Sequence, residues 1–115
     1  MPKDDAVYLG QMLDMAEKAR ALIKGKQRTD FDQDETLKLA LAHLIQTIGE
    51  AARRISLESQ QLHAQIPWKA IVSMRHKVVH DYMDLNEDVV WDTATMDLPQ
   101  LITQLEKIVP GERDQ

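Results

Sequence analysis

Apolar residues recur at three- and four-residue steps along most of the chain, a spacing that predicts amphipathic helices. The first such stripe follows Asp4 and Asp5, either of which is expected to cap the helix, and it ends near Gly25. Its apolar positions are Leu9, Met12, Leu13, Ala16, Ala19 and Ile23. The polar stretch from Gly25 to Asp30 is predicted to be a loop.

A second and longer stripe begins after Asp32 and Glu35, whose three-residue spacing is typical of a capping box. It keeps one face apolar over about five turns, through Leu37, Leu41, Leu44, Ile45, Ile48, Ala52 and Ile55. Gly49 lies in its middle, where glycine costs about 1 kcal/mol relative to alanine. We therefore expect another backbone to approach Gly49 closely, and a functional role for this glycine is the alternative.

A third helix is predicted to start at Pro67, because proline suits the first turn of a helix. It is expected to run to about Tyr82, with its apolar face formed by Ile71, Met74, Val78 and Val79. The preceding residues, 56–65, show no clear period and are predicted to form a connection, with a helical turn of its own as an option.

The last part of the chain predicts one more helical segment, interrupted once. Asn86 is expected to cap it, Pro99 to kink or restart it, and Pro110 to end it. No strand pattern competes with the helical ones, so the predicted fold class is all-α. We expect a four- to five-helix up-and-down bundle formed by a single domain over residues 1–115.

The composition is that of an ordinary globular protein. A length of 115 residues fits one domain, and 43% of the residues are hydrophobic and 29% charged. No apolar run approaches the roughly 20 residues of a membrane span, and the first residues lack the apolar core of a secretion signal. We therefore expect a soluble cytoplasmic protein. The sequence has no cysteine, which excludes disulfides and thiolate chemistry.

The charge is unevenly distributed along the chain. The net charge is −5, which argues against a uniformly basic nucleic-acid-binding surface. Residues 51–80 nevertheless carry five basic residues and one acidic residue, whereas the other 85 residues carry nine basic and 18 acidic residues. This basic region is either a chance fluctuation on a solvated face or a local phosphate-binding site.

The third predicted helix ends in a dense polar cluster, which consists of Arg75, His76, Lys77, His80, Asp81 and Tyr82. Arginine can clamp a phosphate and stays charged, whereas histidine exchanges a proton near neutral pH. This pair of residue types suits cleavage of RNA. A neutral His80 would take the proton from a ribose 2′-hydroxyl, and Arg75 would offset the charge that grows on the phosphate oxygens, without a metal ion.

The five-residue spacing of Arg75 and His80 does not by itself bring both side chains to one phosphate. Five residues along an ideal helix turn by about 500°, which leaves the two side chains about 140° apart. Either the helix distorts near Val79 or a second copy of the chain supplies part of the site. A two-fold dimer would bring two arginines and two histidines together, and the coupled histidines would give a bell-shaped pH profile.

A metal site is the competing interpretation of the same cluster. His76 and His80 have the four-residue spacing of the zinc-binding His-Glu-x-x-His motif, but Lys77 occupies the Glu position. Only Asp81 or Asp84 could serve as a third ligand, so we predict no metal here. The isolated residues His43 and His63 are predicted to be structural or exposed.

At this cluster the chain resembles the HEPN proteins (higher eukaryotes and prokaryotes nucleotide-binding), specifically the HepT-like toxins of toxin–antitoxin pairs. The resemblance covers nearly the whole chain. The motif that carries it is an arginine, a histidine four to six residues later and a tyrosine two residues beyond, matched by Arg75, His80 and Tyr82. Three further sequence blocks match the family in the same order along the chain. The first is Ile48 to Ala52, the second is Ile66 to Trp68, and the third combines Val90-Trp91 with Leu98-Pro99. His76 stands where the family often has asparagine.

The resemblance implies a helical bundle that dimerises with its motifs facing across a cleft. It also implies metal-independent cleavage of RNA by Arg75 and His80 without a cofactor, with supporting phosphate contacts from Lys69, His76 and Lys77. The implied partner is an MntA-type nucleotidyltransferase antitoxin, which would transfer AMP onto Tyr82 and block RNA by charge and bulk. The system would then be of the type VII kind, with no membrane or DNA partner.

Two alternatives remain open at this point. The chain could be a catalytically silent HEPN module that binds a nucleotidyltransferase or nucleotides as a scaffold. Tyr82 could be a core aromatic residue on the face of Met74 and Val78 rather than an AMP acceptor.

Overall fold

The computed structural model describes residues 2–81 and 84–109, and the side chains of all of these except Lys3, His80 and Asp81. The helices are α1 Lys3–Ile23, α2 Arg28–Asp32, α3 Glu35–Arg53, α4 Leu57–Leu62, α5 Trp68–Lys77, α6 Glu87–Asp92 and α7 Leu98–Glu106. A π-helical turn, Thr93–Asp97, joins α6 to α7, and two short strands, β1 Val79–Asp81 and β2 Asp84–Leu85, follow α5.

Helix α3 lies at the centre of the bundle. It packs against α1 on one side and α5 on another, and α1 also packs against α7. The apolar stripes predicted for α1 and α3 form the core, in which Met12, Leu41 and Ile45 are almost completely buried. The all-α fold is thus confirmed, because local apolar periodicity already specifies which helix faces must be covered. None of the described helices is long and apolar enough to cross a membrane.

The predicted cap of α1 is wrong. Pro2 precedes the helix and makes no side-chain capping bond, whereas Asp5 lies inside the first turn and is only 2% exposed. Its carboxylate accepts hydrogen bonds from Ser56 N at 2.9 Å, from Ser56 Oγ at 2.6 Å and from Ser59 Oγ at 2.6 Å. Asp5 therefore ties the start of α1 to the start of α4.

The electrostatics of Asp5 follow from this arrangement. Burial works to raise its pKa, but the hydrogen bonds from Ser56 and Ser59 outweigh burial and hold the pKa below its usual value. Since the folded pKa is depressed, the stabilising contribution is present above the unfolded-state pKa and is lost as the pH falls through the folded pKa.

Replacing Asp5 with alanine should destabilise the fold by about 1–3 kcal/mol at pH 7, because the donors of Ser56 and Ser59 lose their acceptor. Urea unfolding measures this effect, and the exposed neighbour Asp4→Ala is the matched control. The difference between the two variants should shrink as the pH falls below the ordinary aspartate pKa of about 3.9. Equal urea midpoints for the two variants at pH 7 would contradict this role of Asp5.

The start of α3 is also displaced from its predicted position. Asp34 caps the helix, since its carboxylate accepts from Leu37 N at 3.0 Å. The expected capping box of Asp32 and Glu35 does not form, because Asp32 belongs to α2 and Glu35 is already the first residue of α3. The helix itself is confirmed, and only the capping residue changes.

The predicted loop from Gly25 to Asp30 is partly wrong, because α2 begins inside it at Arg28. This short helix is held by Phe31, which is fully buried and whose ring centroid lies 5.2 Å from that of Trp91. Gly25 has a φ of +75°, a conformation that glycine adopts without strain, and it lies in the turn that directly follows α1.

The third predicted helix is confirmed at its start but is shorter than expected. It ends at Lys77, and Val78 is its capping residue. Val79 then begins β1, which pairs antiparallel with β2 through Val79 opposite Leu85. Two consecutive β-branched residues, of which Val78 is fully buried, favour this extended backbone over further helix. The expectation that no strand forms is therefore wrong at this place, and Tyr82 lies outside the described residues.

Two predictions for the last helical segment are confirmed, whereas the predicted end at Pro110 lies outside the described residues and α7 itself ends at Glu106. Asn86 caps α6, since its side chain accepts from Val89 N at 3.3 Å. Pro99 restarts the helix, because it occupies the first turn of α7, where its missing N–H costs little. The π-helical turn immediately before α7 accommodates the interruption of the helix at Pro99.

Candidate active site

The close approach predicted at Gly49 is confirmed. A Cβ atom on Gly49 would lie 3.0 Å from Ile71 O, 3.2 Å from Arg75 N and 3.3 Å from Arg75 Cβ. Such distances leave no room for a side chain, so α3 and α5 touch through their backbones at this point. The contact serves packing, and it also fixes where the Arg75 side chain leaves α5.

Arg75 is held by an acidic residue on α3. Its Nη1 atom donates to Glu50 Oε2 at 3.0 Å, and both side chains are about one-third exposed. The other carboxylate oxygen of Glu50 accepts from Arg53 Nη2 at 2.5 Å and lies 3.6 Å from Arg54 Nη2. Three guanidinium groups thus surround one carboxylate, and we call these four residues the arginine cluster.

The carboxylate of Glu50 stays ionised over the whole neutral range. Its pKa is lowered to about 2, mainly by the hydrogen bond from Arg53 and also by that from Arg75, against the opposing effect of desolvation. The same contact with Glu50 raises the pKa of Arg53. Since one negative charge faces three positive charges, the arginine cluster keeps an excess of positive charge that attracts anions.

The guanidinium of Arg75 is not saturated within the part of the chain that the structure describes. Its Nε atom is buried and has no hydrogen-bond partner among these residues. An arginine has five N–H donors in a planar fork that matches the oxygens of a phosphate. The buried Nε atom is out of reach of a ligand, but about one-third of the side chain is exposed, so Arg75 combines a fixed orientation with Nη donors that a phosphate can reach.

Of the supporting residues predicted from the sequence, the structure brings two beside Arg75. Lys69 and His76 line the same groove as Arg75, along the α5 face next to α4. Lys77 is exposed and lines an adjoining groove that also includes Lys69. The cations at the end of α5 are favourably placed, because the C-terminus of a helix carries partial negative charge.

His80 belongs to β1 rather than to a helix. The angle of about 140° that an ideal helix would impose between Arg75 and His80 therefore does not apply. The chain changes direction at Val78, which realises the distortion expected near Val79. The side chain of His80 and the whole of Tyr82 lie outside what is described, so their convergence with Arg75 stays a prediction.

Glu50 and Arg53 are residues of the candidate site that were not predicted from the sequence. A signal for both was present, since Glu50 follows the close-packed Gly49 directly and precedes Arg53 by three residues, the spacing of an ion pair on a helix. The partner Arg75 is 25 residues away, and only the packing of α3 on α5 brings it to Glu50.

The remaining histidines occupy positions that agree with their predicted roles. His43 is exposed on α3, and His63 ends α4, where its carbonyl oxygen accepts from Trp68 Nε1 at 3.0 Å. His76, one of the two residues of the alternative zinc site, is exposed on α5. No group of three or more potential metal-binding side chains occurs among those the structure describes.

An all-α bundle with an arginine in the last turn of one helix and a histidine just beyond that helix is typical of a HEPN protein. The family described as "Ribonuclease HepT-like" matches residues 12–108, and the chain belongs to this family of ribonucleases. No solved structure matches the chain.

Relatives from archaea and bacteria align with most of this chain. A "Putative RNase" of Caldanaerobacter subterraneus is 32% identical over 106 residues, which span 92% of this chain and 95% of that protein. A "Putative RNase" of Methanocaldococcus jannaschii is 28% identical over 110 residues, 95% of this chain and 91% of that protein. A "Probable ribonuclease HepT" of Thermococcus cleftensis is 34% identical over 79 residues, 69% of this chain and 72% of that protein.

Proposed function

We propose that the protein is a metal-independent endoribonuclease in which Arg75 and His80 act on RNA. The observation that carries this proposal is the arginine cluster, which holds Arg75 in a fixed orientation with about one-third of its side chain exposed to a phosphate. Membership of the HepT-like ribonuclease family supports RNA as the substrate.

The proposed reaction needs only a base, an acid and a cation. Neutral His80 removes the proton of a ribose 2′-hydroxyl, and this oxygen attacks the adjacent phosphorus. Arg75 offsets the charge on the phosphate oxygens in the transition state. The bond to the 5′-oxygen then breaks, and a protonated histidine gives that oxygen its proton. The products are a 2′,3′-cyclic phosphate and a free 5′-hydroxyl.

A two-fold dimer is part of this proposal, because one His80 cannot be base and acid at the same moment. Two copies that face each other would contribute one neutral and one protonated histidine. The rate should then follow a bell-shaped curve with pH. Analytical ultracentrifugation measures the stoichiometry, and a monomeric active enzyme with a single ionisation would contradict this arrangement.

The experiment that tests the activity is incubation of labelled RNA with purified protein in the presence of EDTA. Cleavage should persist, and the products should carry 2′,3′-cyclic phosphate ends. Loss of cleavage in EDTA with restoration by a divalent ion would overturn the metal-independent mechanism. Absence of cleavage under all conditions would favour the silent scaffold.

We further propose regulation at Tyr82 by a cognate MntA-type nucleotidyltransferase, as the antitoxin of a type VII toxin–antitoxin pair. The phenol oxygen of Tyr82 would attack the α-phosphorus of ATP and release pyrophosphate. The attached phosphate would bring negative charge to a site that receives RNA. Intact-mass measurement after co-expression should show added AMP, which Tyr82→Phe should abolish.

A catalytically silent module is the second candidate, and the ion pair between Arg75 and Glu50 is the observation in its favour. A guanidinium that is already paired with a carboxylate could serve the structure alone. Such a protein would form a stable complex with the nucleotidyltransferase but would neither cut RNA nor arrest growth.

A Glu50→Gln variant should separate these roles. Glutamine keeps the shape of the side chain but removes its charge, so we expect Arg75 to be held less firmly and kcat to fall by about tenfold. KM for RNA should fall or stay unchanged, because the arginine cluster becomes more positive. Glu50 has a pKa of about 2, so the effect should be equal at every pH from 5 to 9.

The control for this variant is Glu58→Gln, which removes a carboxylate from the exposed side of α4. Steady-state kinetics with a short RNA substrate supply both constants. An unchanged kcat in Glu50→Gln would show that Glu50 does not position Arg75 for the reaction.

A further inference from the structure

An open groove runs between α4 and α5 and ends at the candidate catalytic arginine. We call it the α4–α5 groove and define it by Gln60, Trp68, Lys69, Val72, Arg75 and His76. Its volume is about 500 Å³, within the roughly 300–1,000 Å³ of small-ligand sites. The groove is therefore large enough for a flat organic group beside Arg75.

The floor of the α4–α5 groove is apolar and rigid. Trp68 is only 7% exposed, and its indole Nε1 donates to His63 O at 3.0 Å, which fixes the ring. Val72 lies one turn further along α5 and is half-buried. These two side chains offer an apolar surface against which a ring can pack. Displacing water from this apolar surface is favourable through the hydrophobic effect.

The rim of the α4–α5 groove is positively charged. Lys69, Arg75 and His76 line it, and no carboxylate is among its lining residues. This is unusual for a chain with a net charge of −5 and selects for an anionic occupant.

A polar group also lies at the α4 side. Gln60 donates from Nε2 to Ile55 O at 3.1 Å, which fixes its amide, so that Oε1 is the atom that accepts further hydrogen bonds. A fixed acceptor beside an apolar floor suits the exocyclic amino group of a base. An anionic backbone, an apolar ring and an amino donor together describe a nucleotide.

We propose that the α4–α5 groove binds an unpaired nucleotide of RNA adjacent to the scissile linkage, with the base on Trp68 and Val72 and the phosphate at Lys69 and His76. The inference rests on the proposed function only in that it takes the cleaved RNA as the ligand. It predicts a preference for single-stranded RNA, since a base enters such a groove only when it is unstacked.

The test uses a single-stranded RNA oligonucleotide with 2′-O-methyl sugars, which lacks the attacking hydroxyl and therefore reports binding without cleavage. Fluorescence anisotropy measures its affinity for the full chain, and the corresponding duplex serves as competitor. The single strand should compete at least about tenfold better than the duplex, in line with the energy of base contacts to protein side chains.

Two variants probe the floor and the rim separately. Val72→Glu should weaken binding of the single strand by about tenfold, because it places a carboxylate under the base. Lys69→Gln should weaken binding of all sequences and lower the slope of log affinity against log salt by about 1. The matched controls are Val7→Glu and Lys18→Gln, which change exposed residues of α1 and should leave binding unchanged.

The outcomes are distinct from those that test the catalytic proposal. Tight binding of the methylated strand without cleavage of ordinary RNA would leave this inference standing and overturn the proposed activity. Wild-type affinity in folded Val72→Glu and Lys69→Gln would overturn the inference. A change of Val72→Glu from dimer to monomer would also overturn it, because a second copy of the chain would then occupy the groove.

Discussion

Purified protein that carries His80→Ala is expected to cleave RNA about 100- to 10,000-fold more slowly than the unmodified chain, the range typical of a lost general acid or base. In the proposed dimer both the base and the acid disappear together. His80 lies in β1, outside the packed helices, so the variant should keep the circular dichroism spectrum and thermal midpoint of the parent.

The matched control is His43→Ala, which removes an exposed histidine from α3. Its cleavage rate should equal that of the parent, whereas Arg75→Ala should lose about 100- to 1,000-fold, the cost of removing one donor to a transition-state anion. Single-turnover cleavage of labelled RNA measures all three rates. Equal rates in His80→Ala and His43→Ala would exclude His80 from the chemistry.

Gly49→Ala is expected to destabilise the fold and to impair cleavage, although alanine is the better helix former. The added methyl group would lie 3.0 Å from Ile71 O and 3.2 Å from Arg75 N, which are backbone atoms that cannot turn aside. Helix α5 must then move away from α3. We expect overpacking of about 1–3 kcal/mol to exceed the gain of up to about 1 kcal/mol in helix propensity.

Gly10→Ala is the control, since it makes the same change in a helix with open space around it. Nothing lies within 4 Å of a Cβ atom on Gly10 of α1, so this variant should gain about 0.5–1 kcal/mol. Urea unfolding of both variants measures the sign of the change in the free energy of unfolding. Because Arg75 would shift with α5, cleavage by Gly49→Ala should fall by more than its unfolded fraction explains. Equal stabilisation by the two alanines would refute the close contact.

The long helices were predictable because their signal is local. The apolar stripes of α1 and α3 repeat over several turns, and this repetition outweighs small errors in the choice of any one residue. Gly49 was predictable for a related reason. A glycine in the middle of a strong helix costs stability, so its presence indicated the close approach that the structure contains.

The caps and ends were less predictable, because several residues nearby could serve equally well. Asp5 has the right chemistry for an N-cap, yet it caps no helix and instead accepts hydrogen bonds from Ser56, the N-cap of α4, and from Ser59. The end of α5 was missed for a different reason. Val78 and Val79 continue a helical apolar pattern, but burial of Val78 and pairing of β1 with β2 override it.

The candidate site also has a part that the sequence predicts and a part that only the tertiary structure reveals. The sequence pointed to Arg75, His80 and the cations around them, because residue type and spacing carry the chemistry of phosphate recognition. The carboxylate that holds Arg75 was not evident. Glu50 looked like one of many acidic residues on a helix surface until α5 packed beside it.

The amino-acid sequence by itself determined an all-α fold, the positions of its main helices, its ribonuclease family and the residue types that would perform the reaction. Periodicity and motif spacing are properties of neighbours along the chain, and they need no knowledge of distant contacts. The tertiary structure alone decided that Glu50 restrains Arg75, that Asp5 joins α1 to α4, and that α4 and α5 enclose a basic groove with an apolar floor. These features join residues as far apart as 54 positions, and such pairs meet only when helix faces bury their apolar surface against one another.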